Sequence, residues 1–261
     1  RVLEYCSLPQ EAPSEIPENK PPPEWPEAGA ISFRDVSIRY GDEPDSAYAL
    51  RGVSCKIRPG EKVGIVGRTG AGKSTLVTAL FRTTEPAGGK ISIDKVDIST
   101  IGLFDLRSRL SIIPQLPQLF VGTVRFNLDP FDEHSDNELW NALKMVRLRD
   151  HVASFSAALY EHIDENGSIF SVGQRQLLSM ARCLLRGTHV LVLDEATSAV
   201  DVETDALLQT MIRKNFVGTT VLTIAHRLNT IMDSDRIMVL DAGKVVEFDT
   251  PAALMARPTI L

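Results

Sequence analysis

From residue 30 onward the chain shows two kinds of hydrophobic pattern. ISFRDVSIRY (31–40) alternates apolar and polar positions, which predicts a half-buried strand. GVSCKIRPGE (52–61) predicts a second strand ending in a turn. Three short runs are mainly apolar: Val63–Val66, Val190–Leu193 and Val221–Ile224. Such runs suit the strands of a parallel sheet covered on both faces. Helix-like stretches separate them at Lys73–Phe81, Asp136–Arg147 and Gln174–Leu185. DRIMVLDAGKVVEFDT (235–250) predicts a hairpin across Asp241, Ala242 and Gly243. The fold class that emerges is α/β, with an antiparallel β portion near the N-terminal end and a mainly helical insert at about 123–186. No internal repeat is visible.

Residues 1–28 read differently. Seven prolines, Pro9, Pro13, Pro17, Pro21, Pro22, Pro23 and Pro26, exclude a packed element and predict a semi-extended linker. The opening RVLEYC is helix-like and uncapped, as the tail of a longer segment would be. PEWP also fits a PxxP ligand, but Trp25 is better read as pinning the linker to the domain that fills 29–261.

Bulk composition adds limits. The 28 basic and 34 acidic residues leave a net charge of −6, which argues against broad capture of nucleic acid. Cys6, Cys55 and Cys183 have no metal-ligand spacing and read as free thiols in a reducing compartment. No apolar run approaches the roughly 20 residues of a membrane-spanning helix.

The clearest chemistry lies in GIVGRTGAGKST (64–75). It follows one expected strand, opens one expected helix and contains G-x-x-x-x-G-K-[ST] at Gly67–Ser74, the pattern of a phosphate-cradling P-loop. The backbone of Gly67, Arg68, Thr69, Gly70, Ala71 and Gly72 would turn its N–H groups toward one point. Lys73 adds a charge for the β- and γ-phosphates, Ser74 offers a hydroxyl to Mg²⁺, and Thr75 caps the cradle. HVLVLDEATSAVD (189–201) then sets Asp194 and Glu195 at the end of a buried strand. Ligands in open α/β sheets bind beyond the carboxyl ends of strands, so Asp194 points toward the Mg²⁺ and Glu195 toward an attacking water. A second glycine-containing helix start, IFSVGQRQ (169–176), would also attract an anion, yet it carries no lysine to hold one.

The P-loop, SIIPQLPQLF, FSVGQRQ, LVLDEATSAVD and TIAHRLNT stand in the order found in ATP-binding-cassette (ABC) ATPases. Over residues 31 to about 255 the chain resembles the second nucleotide-binding domain of C-subfamily, multidrug-resistance-associated transporters. The resemblance implies a P-loop NTPase core of ABC-ATPase type with an antiparallel β subdomain and a helical subdomain. It implies Tyr40 stacking on adenine, Gln115 touching Mg²⁺ and water while sensing the membrane domain, and His226 contacting the γ-phosphate and positioning Glu195. Asp201 would lie at an interface between ATPase domains. Ser171, Val172, Gly173 and Gln174 would close on a nucleotide held by a partner's P-loop, which is why no lysine is needed. The remaining histidines, His134, His151, His162 and His189, match nothing and read as surface or packing residues.

Val172 departs from the general LSGGQ signature, Leu116 and Gln118 from the more usual loop around Gln115, and Lys95 from a turn glycine. What the resemblance implies is ATP hydrolysis with Mg²⁺, powering export of organic anions, conjugates or drugs, with an ATP-gated channel or regulatory module as the alternative. The implied partners are the first nucleotide-binding domain and the membrane domains of the same transporter, with no nucleic acid. The implied place is the cytoplasmic face of a plasma or vacuole-like membrane, reached only through the membrane domains.

Overall fold

The computed structural model describes residues 10–41, 46–165, 167–194, 202–225 and 231–256. Its centre is a six-stranded sheet of β3 (Lys62–Val66), β6 (Leu110–Ile113), β9 (Val190–Asp194), β10 (Thr220–Ile224), β11 (Arg236–Asp241) and β12 (Lys244–Asp249), in spatial order β12-β11-β3-β10-β9-β6. All neighbours pair in parallel except β12, which closes the edge as the expected hairpin. A second, antiparallel sheet has the order β2-β1-β4-β5, from β1 (Ile31–Arg39), β2 (Tyr48–Ile57), β4 (Gly88–Ile93) and β5 (Val96–Asp97).

The apolar runs have a visible cause. Successive side chains on a strand point to opposite faces. Val190 and Val192 join a core shared with the antiparallel sheet and with α1 (Lys73–Leu80), where Ile31, Phe33, Leu76 and Leu80 are buried. Leu191 and Leu193 enter a second core against the helical unit, beside Leu139, Leu143, Leu177, Leu178 and Met180. Both faces of β9 are therefore covered, and alternation disappears from its sequence.

The remaining helices are α2 (Leu103–Arg107), α3 (Val124–Leu128), α4 (Asp136–Met145), α5 (Arg149–Ala153), α6 (Val172–Arg186), α7 (Val202–Asn215) and α8 (Pro251–Met255). Capping chemistry, which hydrophobic periodicity does not register, sets the true ends. In α6 the Ser171 hydroxyl accepts from the Gln174 amide and the Gln174 side chain accepts from the Ser171 amide, so the helix starts two residues before the expected Gln174. Gly187 ends it in the left-handed region at φ 59°. Ser135 and Glu138 form the same box on α4, which stops at Met145, two residues short of expectation. The two-residue pair β7 (Gly122–Thr123) and β8 (His162–Ile163), too short for any periodic signal, ties together both ends of the segment from α3 to α5.

The segment before β1 is fastened down. Trp25 is only 3% exposed, and its indole Nε1 donates to the Ile93 carbonyl at 2.9 Å. The Asp94 carboxylate accepts from the amides of Ala28, Gly29 and Ala30 at 2.7–2.9 Å. Asp94 and Lys95 form the β4–β5 turn, both with positive φ, so the lysine at the usual glycine position is accommodated locally. Farther back, Leu103 and Phe104 donate to the carbonyls of Pro13 and Ser14, and Arg107 pairs with Glu11 at 2.8 Å.

Glu61 and Arg236 bind the two sheets together. The guanidinium donates to both carboxylate oxygens, at 2.5 and 2.7 Å, and to the Lys56 carbonyl, while it lies over the Phe248 ring. Burial alone would raise the Glu61 pKa, but hydrogen bonds from Arg236 and the Arg58 amide, with their charges, bring it below its ordinary 4.5. The pair therefore contributes stability above that ordinary value, and the contribution is lost as pH falls through the lowered one. Removing one member of a buried pair costs about 3 kcal/mol. Glu61→Gln is expected to lower the free energy of chemical unfolding by about that amount at pH 7, with a smaller difference from the unmodified protein near pH 3. Equal loss at both pH values would show that the charge is irrelevant.

Candidate nucleotide site

Four parallel strands bring the sequence-predicted residues to one edge. Ile65 on β3 is level with Ile224 on β10, Ile224 with Asp194 on β9, and Leu193 with Ile113 on β6. The P-loop leaves β3 after Val66, Asp194 ends β9, and Gln115 follows β6 by two residues. With neighbouring strands about 4.8 Å apart, Asp194 lies roughly 10 Å across the sheet from the base of the P-loop. This is the carboxyl edge at which open α/β sheets bind ligands.

The P-loop is shaped by glycines at Gly67, Gly70 and Gly72, with φ of 154°, 80° and 102°. A Cβ at Gly67 would meet the Leu240 carbonyl at 2.3 Å, and one at Gly72 would meet Leu50 Cδ2 at 2.7 Å and the Ala49 carbonyl at 2.8 Å. Gly70 has open space around it and is needed for its backbone angle alone. The β11–β12 turn braces the loop from outside: the Gly243 amide donates to the Ala71 carbonyl and the Arg51 amide to the Gly243 carbonyl. Arg68, Thr69 and Gly70 remain exposed, whereas Ala71 and Gly72 are buried.

Lys73 is 6% exposed and folds over the loop, donating from Nζ to the carbonyls of Gly67 at 2.8 Å and Arg68 at 3.2 Å. A full positive charge is thus held where the loop's backbone converges. Ser74 is exposed in the first turn of α1, Gln115 is exposed, and Asp194 is half-buried. A hydroxyl, an amide oxygen and a carboxylate are the hard oxygen donors that Mg²⁺ takes alongside phosphate oxygens, so this set fits the ion.

Tyr40 is 54% exposed, which sets aside a packing role in the core, and its hydroxyl donates to Thr75 Oγ1 at 3.1 Å. That bond holds an open aromatic face beside the phosphate cradle. Base–aromatic stacking is worth about 1–3 kcal/mol. Tyr40→Ala is therefore expected to weaken ATP about tenfold or more while leaving inorganic triphosphate nearly unchanged, and Tyr40→Phe should retain most of the affinity. Titration calorimetry with both ligands checks this; equal losses would show that the Tyr40 ring does not stack on the base.

The second helix start stands on an aromatic anchor. Phe170 is 1% exposed and makes edge-on contacts with His151 and Phe155. The next residues, Ser171 and Val172, are exposed, and Gly173 and Gln174 are half-buried. Glu195, Asp201 and His226 lie outside the described residues. His162 and His189 are exposed, and His134 and His151 are half-buried.

Sequence reasoning missed three supports. One is the bracing turn at Gly243. The others are Gln176 and Arg182, whose side chains reach the loop carrying Gln115. Gln176 stood in the quoted FSVGQRQ, but nothing in a linear pattern shows which carbonyls an amide reaches.

This fold and site define a P-loop nucleotide-binding domain of an α/β NTPase. Residues 50–198, more than half of the chain, match the family model described as ABC transporter, and the chain belongs to that family. Its domains hydrolyse ATP. The chain is 53% identical over 257 residues to ATP-binding cassette sub-family C member 2 of Rattus norvegicus, covering 98% of this chain and 16% of that protein. It is 57% identical over 256 residues to multidrug resistance protein mrp-7 of Caenorhabditis elegans, covering 98% and 17%. To the vacuolar heme ABC transmembrane exporter abc3 of Schizosaccharomyces pombe it is 54% identical over 255 residues, again 98% and 17%. The chain thus spans about a sixth of the length of these relatives, and its likeness is to C-subfamily nucleotide-binding domains. A solved bacterial Atm1-family ABC exporter with ATP bound superposes with a TM-score of 0.88 at 33% identity, over 99% of this chain and 45% of that one. No helix among the described residues is long and apolar enough to cross a membrane.

Proposed function

We propose that this domain binds and hydrolyses Mg-ATP in a composite site shared head to tail with another nucleotide-binding domain of the same transporter, powering export of organic anions, conjugates or drugs. The observation that carries the reading is the unit formed by the P-loop, Lys73 over its carbonyls and Tyr40 on Thr75, which supplies cradle, charge and base platform together. Gly67–Thr75 would bind the phosphates, and Ser74, Gln115 and Asp194 would hold Mg²⁺, which neutralises phosphate charge when bound. Glu195 would polarise the attacking water and His226 would orient it. Ser171–Gln174 is a helix start closed by its own capping box, with Ser171 and Val172 exposed; it would face the γ-phosphate held by the partner. Asp201 would lie along the same interface. Exposed Leu116, Phe120, Val121 and Phe126, next to Gln115, suit contact with the membrane domains of the assembled protein.

The composite reading predicts the behaviour of this domain alone and paired. By itself it should bind Mg-ATP and hydrolyse it slowly. Adding the first nucleotide-binding domain should raise turnover, and replacing that partner's signature serine should abolish the rise. The measurement is ATPase rate against protein concentration, alone and mixed. A fast rate for this domain alone, proportional to concentration down to nanomolar protein, would sink the shared-site reading.

A further inference from the structure

The connection from α3 to α4 carries a cluster of side chains that the nucleotide reading does not use. Asp129, Glu133 and His134 offer two carboxylate oxygens and one imidazole nitrogen, all within 4.8 Å of one another. Local bonds hold the three together. The His134 amide donates to one Asp129 carboxylate oxygen at 2.7 Å, and Arg125 donates to the His134 carbonyl at 3.0 Å. Arg125 gives its charge to Asp132 at 2.7 Å and Asp136 at 2.9 Å, not to Asp129 or Glu133.

Asp129 is the observation that points to a ligand. It is 5% exposed, its carboxylate forms no ion pair among the described residues, and beyond the His134 amide it accepts no hydrogen bond from them. Buried charges in proteins are paired or coordinate metals, because a carboxylate taken out of water loses its hydration with nothing in return. Glu133 stands beside it, exposed and also without an ion pair among the described residues, so the two carboxylates repel each other. Arg182 and Arg186 are close by, but they donate to the carbonyls of Asn127, Gln118 and Leu110. There is also room for a ligand. Asp129 lines a cavity of about 360 Å³ together with Ser179 and Cys183, and Trp25 and His189 line another of about 710 Å³. Glu133 and His134 line both.

We propose that Asp129, Glu133 and His134 bind a divalent transition-metal ion, Zn²⁺ being the one they suit best, and that the ion fastens the α3–α4 connection to the end of α3. The donor set decides the class of ion. Ca²⁺ and Mg²⁺ take oxygen donors, whereas one imidazole with two carboxylates suits zinc and its neighbours. Bonds of about 2.0–2.2 Å set tetrahedral ligand atoms roughly 3.4 Å apart, so the three close by about an ångström, which the exposed Glu133 does by rotating. Three protein ligands leave a fourth position for water, which the cavities admit. The ion supplies the positive charge that Asp129 and Glu133 lack. This site is independent of the nucleotide reading and does not fall with it.

The test uses the full-length transporter, stripped of metal with a chelator and kept free of nucleotide, with Zn²⁺ alone as the probe. Affinity is read by competition with a chromophoric chelator, and hydrogen exchange is followed at amides 131–135. The variants are Asp129→Asn, Glu133→Gln and His134→Phe. Glu133→Gln alters an exposed side chain and keeps the test alive should Asp129→Asn fail to fold. The unmodified protein should take up Zn²⁺ at a site that Mg²⁺ does not contest, and exchange at 131–135 should slow as it does so. Each substitution should weaken that site by about 10–100-fold or more, since loss of even a supporting partner of a metal ligand costs that much, and should abolish the slowing. Cys183→Ser should bind as the unmodified protein does. Unmodified affinity in both Glu133→Gln and His134→Phe overturns the proposal, as does Zn²⁺ uptake that leaves exchange at 131–135 unchanged, or uptake that is lost in Cys183→Ser.

Discussion

Lys73→Ala is expected to weaken Mg-ATP by about two to three orders of magnitude. Hydrogen bonds to charged groups contribute roughly 1.5–3 kcal/mol each, and on the proposed reading Lys73 would reach both the β- and γ-phosphates. The substitution also removes the donor from the Gly67 and Arg68 carbonyls, so some loss of fold stability accompanies it. The two effects separate cleanly. Binding is read with a fluorescent ATP analogue, and stability from unfolding without nucleotide. Lys73→Met restores the buried chain length without the charge and should bind as weakly as alanine while unfolding closer to the unmodified protein. Full affinity in the methionine variant would show that the lysine serves the loop and not the phosphate.

Glu195→Gln should behave in the opposite way. Glu195 follows directly on Asp194, which ends the strand level with the base of the P-loop. Glutamine preserves size and loses only the ability to polarise water. A positioned general base contributes about 10²–10⁴ in rate, so turnover in the assembled transporter should fall by that range with ATP affinity unchanged or improved. Rapid-quench measurement of a single turnover isolates the chemical step. Hydrolysis at the unmodified rate would remove Glu195 from the role of base.

The contrast between what the sequence shows and what it hides follows from the range of the forces. The three apolar runs identify β3, β9 and β10, because burial on both faces leaves a local signature, and the order Gly67–Thr75, Gln115, Asp194 marks the ends of strands that the sheet then aligns. Tyr40 was named by resemblance alone; its exposure and its bond to Thr75 depend on how β1 passes the P-loop, a relation across 35 residues. Gln176 and Arg182 were silent for the same reason. Side chains that reach distant backbone carbonyls obey no period and need no complementary residue type. The start of α6 shifted by two residues because Ser171 acts through a local capping box rather than through a repeat.

The strap ahead of β1 bears on whether this domain can be transplanted. A Cβ on Gly102 would lie 2.4 Å from the Ser14 carbonyl, and the Trp25 indole fills a slot whose wall is the Ile93 backbone. Strap and domain surface are therefore matched like the two sides of a seam. A chimaera that joins residues 31–256 of this chain to another transporter's linker would inherit a slot without its indole and a groove without its ribbon. Moving the segment from Glu11 onward as one piece carries the seam across intact.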